Sequence, residues 1–236
     1  MTRPSRMLHR GCFVTGTDTA AGKTVVATAI AAALRARGEP VAAWKPVVTG
    51  VAEPQEGAWP ADHELLARAA GAEPADVTTA TFGPAVSPHL AAQLAGSRLS
   101  LEVLVRAAHR AAAAAGDAAA FIAEGVGGLL VPFGDFTVRD LAVALGLPLV
   151  VAARPGLGTI NHSLLTLEAA RAAGLDVRAV VLTPWPDEPG VMQRSNRATI
   201  ERLGDVEVAA LPATSPTFAD LARAGEALPF ERWIGP

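Results

Sequence analysis

Short apolar runs recur along the chain and alternate with longer alanine-rich stretches whose hydrophobic positions repeat at helical spacing. The apolar runs predict strands at residues 12–15, 41–44, 119–123, 149–152, 177–182 and 206–209. Several are apolar on successive residues rather than alternate ones, as in strands covered on both faces. The helical pattern predicts helices over residues 23–37, 61–70, 101–115, 160–173 and 191–203. Gly38, Gly116, Gly174 and Gly204 each stand just past one of these helices, where a left-handed cap is easiest for glycine. This rhythm predicts an α/β fold of three layers, with a mostly parallel central sheet flanked by helices.

The chain has 236 residues, half of them hydrophobic, with no internal repeat and no stretch that marks a boundary. One domain over residues 1–236 is expected. Twenty basic against 23 acidic residues leave a net charge of -3, and no Lys/Arg run gathers into a nucleic-acid footprint. Arginine dominates the basic set. The two lysines that matter, Lys23 and Lys45, fall in glycine- or proline-punctuated segments read as turns. The lone cysteine, Cys12, lies in the apolar run CFV, which excludes an internal disulfide framework and predicts a buried strand residue in a reducing compartment. No segment is long enough for a membrane span, and MTRPSRMLHRG lacks the apolar core of a signal peptide. The expectation is a soluble cytoplasmic protein with a loose start. VAEPQEGAWP, residues 51–60, reads as a mobile surface loop, and the alanine run at 111–116 as a helix end.

Chemistry enters with GTDTAAGKT, residues 16–24. The phosphate-loop pattern sets four residues between its first glycine and Gly-Lys-Thr, whereas five lie between Gly16 and Gly22. The setting nevertheless suits a phosphate: an apolar strand precedes the loop and VVATAIAAALRAR follows it as an amphipathic helix. Successive backbone N–H groups and the helix N-terminus would meet the phosphates, with contributions from Ala20, Ala21, Gly22 and Val25. Lys23 would reach the terminal phosphates, and the Thr24 hydroxyl would hold magnesium. An ordinary turn capped by Thr17, Asp18 or Thr19 is the bland alternative.

Two further segments point the same way. WKPVVTG, residues 44–50, follows the second predicted strand, and sites in open α/β sheets gather at the carboxyl ends of strands. Lys45 would then face the same crevice as the loop and neutralise charge as it develops. FIAEGVGGLLVP, residues 121–132, reads as a strand ending in Glu124, a carboxylate for nucleotide-bound magnesium. Gly125, Gly127 and Gly128 permit close backbone approach to a ligand. Asp62, at a helix start, supplies a candidate third magnesium oxygen. Against these stand an exposed lysine before a proline turn, a turn-capping glutamate and a helix-start aspartate.

Together GTDTAAGKT, KPVVTG, the Asp62 region, SPH at 87–89, EGVGGLLVP and GTINH at 158–162 resemble the dethiobiotin synthetase family over most of the chain. That family's phosphate loop itself carries five residues before GKT. The resemblance implies a dimeric P-loop NTPase-like enzyme that joins CO2 to 7,8-diaminononanoate with ATP and Mg2+. A substrate amine becomes a carbamate, its oxygen attacks the γ-phosphate, and the second amine closes the ring and expels phosphate. Thr19 and Lys23 are implied as phosphate contacts, Lys45 and Thr49 as contacts of the carbamate or its parent amine, and Gly127 as a diamine contact through its backbone, while Gly125, Val126 and Gly127 are also implied on the nucleotide side. The metal set is Thr24, Asp62 and Glu124. The GTINH helix start suits the substrate carboxylate across a dimer interface, with Asn161 the implied contact and His162 structural.

Two departures stand out. Ala20 occupies a position that is glutamate in some members. LTPW, residues 182–185, replaces an Asn-Asp that reads adenine in some members. Thr183 and Pro184 then offer the base no two-point side-chain contact, which leaves Pro212, Ala213 and Thr214 to contribute through backbone groups. Three other readings share the loop. A positioning or partitioning switch ATPase would want a basic amphipathic terminal helix, which EALPFERWIGP is not. A cofactor amidase would want a nucleophilic cysteine, and Cys12 is wrongly set for one. A non-enzymatic nucleotide-binding module would have no use for KPVVTG and Asp62.

Overall fold

The strands are β1 (Gly11–Gly16), β2 (Val41–Thr49), β3 (Thr78–Phe82), β4 (Ala120–Gly128), β5 (Leu149–Ala153), β6 (Val177–Trp185) and β7 (Glu207–Pro212). Between them run α1 (Lys23–Ala36), α2 (Asp62–Ala70), α3 (Pro74–Val77), α4 (Pro88–Leu94), α5 (Leu101–Ala114), α6 (Val138–Leu145), α7 (Thr159–Ala172), α8 (Val191–Gly204) and α9 (Phe218–Glu226). These elements come from a computed structural model that describes residues 10–53 and 59–235. The sheet order is β3-β2-β4-β1-β5-β6-β7, with every neighbouring pair parallel.

Period-2 alternation splits each central strand between two cores. Cys12 and Val14 of β1 face the cluster that α1, α2 and α9 complete, whereas Phe13 faces the one that α5, α6, α7 and α8 complete. Both clusters are apolar, which is why the strands read as unbroken hydrophobic runs. Burial pushes the Cys12 thiol up to about 12, so it behaves as a packing residue.

Alanine is the packing device of α1. The helix buries Ala27, Ala29, Ala31, Ala32 and Ala33 between the sheet and its helical neighbours. Its approach to α9 is close enough that a Cβ on Gly225 would stand 2.1 Å from the Ala29 carbonyl oxygen. Gly225→Ala is therefore expected to lower unfolding free energy by about 3 kcal/mol, the upper end of overpacking costs, in urea titration.

The structure corrects several boundaries. Strand β2 continues to Thr49, so Lys45 lies inside a strand rather than in a turn; Lys23 is the first residue of α1. Strand β4 continues to Gly128, so Glu124 does not end it, and β6 continues through Trp185, taking in LTPW. β7 begins at Glu207 and β1 at Gly11. Gly204 belongs to α8, and Asp205 takes the left-handed position with φ 42. Gly38, Gly116 and Gly174 do adopt positive φ past their helices. Edge strand β3, with its alternating exposure, and the short helices α3, α4, α6 and α9 were not anticipated. The loose N-terminal start (residues 1–9) and the middle of the 51–60 loop (residues 54–58) lie outside the described residues.

Candidate functional site at the carboxyl edge of the sheet

The loop after β1 arrives at α1 without a side-chain cap. None of Thr17, Asp18 or Thr19 caps the helix: the N-cap is Gly22, which makes no side-chain hydrogen bond. The Asp18 carboxylate instead accepts from the Thr19 N–H at 2.7 Å. Ala20 and Gly22 both take left-handed φ, 56 and 89. Lys23 curls back under the loop, and its ammonium donates to the Asp18 carbonyl at 3.0 Å. Burial first, and then the charge of Lys45, hold the Lys23 pKa below the ordinary lysine range against the pull of Glu124, Asp62 and Asp18.

Beneath the loop lies a compact charged cluster. Lys45 Nζ donates to Asp62 Oδ2 at 2.6 Å and to Glu124 Oε1 at 2.5 Å. Thr24 Oγ1 stands 2.8 Å from Asp62 Oδ1 and 2.9 Å from Glu124 Oε1. A hydroxyl has one proton, so Thr24 donates to one carboxylate at a time. Adjacent strands β2 and β4 supply Lys45 and Glu124, the first turn of α1 supplies Thr24, and the first residue of α2 supplies Asp62. Burial opposes the Lys45 charge, but Asp62 and Glu124 outweigh it and hold the ammonium above its usual range. Asp62 feels burial too, yet Lys45, Thr24 and Lys23 hold its pKa below the usual carboxylate value. Glu124 is fully buried, and that burial raises its carboxyl despite Lys45.

The oxygens suit a divalent cation. Glu124 Oε2 is buried without a hydrogen-bond partner among the described residues, beside a second carboxylate and a hydroxyl. Among those residues no group of three or more His, Cys, Asp or Glu could cage a metal. One or two carboxylates, a hydroxyl and room for phosphate oxygens and water is how Mg2+ is ordinarily held.

A cavity of about 690 Å³ opens over the cluster. It is lined by Thr19, Ala20, Gly22, Lys23, Thr24 and Val25 of the loop and α1, by Lys45 and Thr49 of β2, by Asp62, and by Val126 and Gly127 of β4. Gly127 has φ +60, and a Cβ there would lie 3.5 Å from Thr19 Oγ1. Other expected residues stand apart from it. Ala21 is fully buried, which leaves only its backbone to contribute. Gly125 is packed rather than open to a ligand, since a Cβ there would meet Val138 at 3.0 Å and Phe13 at 3.1 Å. Thr183 is buried against the loop, and Pro184 beside it is exposed. Pro212, Ala213 and Thr214 line a neighbouring cavity of about 520 Å³ with Asp220 and Arg223. Asn161 is exposed on α7 and lines neither cavity. Sequence reading missed Trp59, Val86 and Val131, all of which line the main cavity. Aliphatic residues scattered over three segments leave no periodic signal, and Trp59 sat in a segment read only as surface loop.

The parallel sheet and the uncapped loop between β1 and α1 define the class: a P-loop-type α/β protein. A family model described as an AAA domain matches residues 10–217. An ATP-dependent dethiobiotin synthetase from Anaeromyxobacter dehalogenans (strain 2CP-C) is 44% identical over 220 residues, covering 91% of this chain and 95% of that protein. Its namesake from Mycolicibacterium gilvum is 38% identical, with 94% and 96% covered, and that from Bacillus subtilis (strain 168) is 34% identical, with 84% and 85% covered. The chain belongs to the dethiobiotin synthetase family. A ParA family ATPase from Chlorobium tepidum TLS resembles it at TM-score 0.49 and 13% identity, over 92% of this chain and 90% of that one, a likeness too loose to bear on function.

Proposed function

We propose that this chain is an ATP-dependent dethiobiotin synthetase, a cyclo-ligase of biotin biosynthesis. It forms dethiobiotin from 7,8-diaminononanoate, CO2 and ATP, and releases ADP and phosphate. The observation that carries the reading is the meeting of both lysines of the chain, 23 and 45, with Thr24 and Asp62 at one cavity, where Lys45 and Thr24 also reach the buried Glu124.

The chemistry brings two anions together, a carbamate and a triphosphate, and their repulsion must be offset by fixed cations. Lys23 with Thr19 and the N–H groups of the loop and Val25 holds the phosphates. Lys45 and Thr49 hold the carbamate, with Gly127 beside the diamine, and Val126 lies on the nucleotide side. Thr24, Asp62 and Glu124 hold Mg2+, which when bound neutralises charge developing on the transferred phosphoryl group. With both anions in place, the carbamate oxygen attacks the γ-phosphate to give a carbamic-phosphoric anhydride. The second amine then attacks the carbonyl carbon, closes the ureido ring and expels phosphate.

The adenine base lies between Thr183-Pro184 and Pro212–Thr214, where backbone groups read it. The chain forms a single domain, and the enzyme works as a cytoplasmic homodimer without nucleic-acid or membrane partners. The exposed Leu130, Leu157 and Leu165 around the start of α7 support the dimer, which brings Asn161 of one protomer to the substrate tail held by the other. Among the described residues no helix is long and apolar enough to cross a membrane.

The test is phosphate release from ATP with magnesium and bicarbonate, with and without 7,8-diaminononanoate, with mass detection of the ring product. Diamine-dependent release with dethiobiotin is the expected result. Release that ignores the diamine would replace the ligase reading with that of a switch ATPase.

A further inference from the structure

One wall of the main cavity, beside Asp62, is an indole. Trp59 and Pro60 line the same cavity as Thr24, Val25, Asp62 and Leu65. Trp59 also packs against the hydrophobic cluster of α1 and α2, so the core holds one side of the ring while another borders the cavity. Pro60 fixes φ in the chain that leads from Trp59 into α2. That helix starts at Asp62 behind Ala61, an N-cap that makes no side-chain hydrogen bond. The remaining walls are largely aliphatic, with Val47, Val86, Val126 and Val131. Charge is thus gathered at Lys23, Lys45 and Asp62, and apart from the hydroxyls of Thr19, Thr24, Thr49 and Ser87 and the indole N–H of Trp59 the side chains around it offer water no partner.

The anhydride of the proposed reaction has two fates. Attack by the second amine forms a C–N bond, breaks the bond from carbon to the phosphate oxygen, and releases a proton and phosphate with the ring product. Attack by water releases phosphate and a carbamate instead; the carbamate then loses CO2 and returns the diamine, with ATP consumed for nothing. We infer that Trp59 excludes water from the anhydride and so couples ATP consumption to ring closure. The inference rests on the dethiobiotin synthetase reading and adds to it a residue that governs the fate of the intermediate.

The experiment measures phosphate released per dethiobiotin formed, at saturating diamine, bicarbonate and magnesium ATP. The wild type gives a ratio of one. Trp59→Ala is expected to raise the ratio about threefold or more, as opening a water-excluding site admits the side reaction, while Trp59→Phe keeps it near one. A loss of folded protein lowers both products together and leaves the ratio unchanged, so this readout separates water exclusion from a merely structural role. If the alanine variant does not fold, Trp59→Leu carries the same measurement. A ratio of one in the truncated variant beside a coupled wild type overturns the inference alone. A wild type that makes no dethiobiotin overturns the functional reading and the inference with it.

Discussion

Lys45→Ala is expected to keep ATP affinity within about threefold of wild type while lowering kcat about a thousandfold, the upper end of what one fixed electrostatic stabiliser contributes. Lys23 and the loop donors, proposed to hold the phosphates, are untouched by the change. What is lost is the cation that bridges Asp62 and Glu124 and that is proposed to hold the second anion. A second signature follows from burial. Glu124 has no exposed surface, burial already raises its carboxyl, and Lys45 is the main restraint on that rise. Leaving a buried carboxylate unpaired costs on the order of 3–5 kcal/mol, a cost that protonation avoids. A carboxyl whose folded-state pKa is raised contributes stability below its unfolded pKa and loses it as pH rises through the folded one. The variant's Tm should therefore fall further below wild type at pH 8.5 than at pH 5.5. Calorimetric ATP titration, steady-state turnover and melting at the two pH values test all three statements. Equal loss of binding and turnover would assign Lys45 to the nucleotide site or to the fold instead.

The three layers were legible because central strands covered on both faces carry unbroken apolar runs, as β5 does along its length and β1 and β4 do over Cys12–Val14 and Ala120–Ala123. Strand β3 was not, because it lies at the sheet edge, where Thr78–Phe82 alternate in burial and carry two threonines before the first alanine. Strand ends were misread for a related reason. Lys45 and Glu124 broke apolar runs and looked like stops, but each charge is matched by the other, and past them β2 runs on beside β3 and β4 beside β1. A pattern along one strand carries no information about a partner 79 residues away. The loop lay open to reading because its chemistry is local: glycine, lysine and threonine act within one turn of α1. The cavity walls were not, since Trp59, Val86 and Val131 meet only after the chain folds. Gly125 was misassigned because a glycine required for packing against Phe13 and Val138 looks the same in sequence as one required by a ligand.

Gly22→Ala is expected to weaken ATP binding at least about a hundredfold while leaving the protein folded, and two separate costs add up to that figure. The first is backbone strain: Gly22 sits at φ +89, where a side chain costs about 1–2 kcal/mol. Alanine in this loop is not forbidden by φ as such, because Ala20 already holds φ 56 two residues earlier. Strain alone therefore accounts for about a tenfold loss, at 1.4 kcal/mol per decade. The second cost is contact. A Cβ on Gly22 would stand 2.4 Å from Thr183 Cγ2, and Thr183 has little room to give: it is β-branched, 2% exposed and held within β6. The loop must move instead, and its N–H groups lose their aim. The double variant Gly22→Ala with Thr183→Ser removes the obstructing methyl and leaves the strain. It should recover about tenfold of the lost affinity, measured by calorimetric titration of a non-hydrolysable ATP analogue. No recovery would place the whole cost in the backbone, and Thr183 would then have no part in holding the phosphate loop.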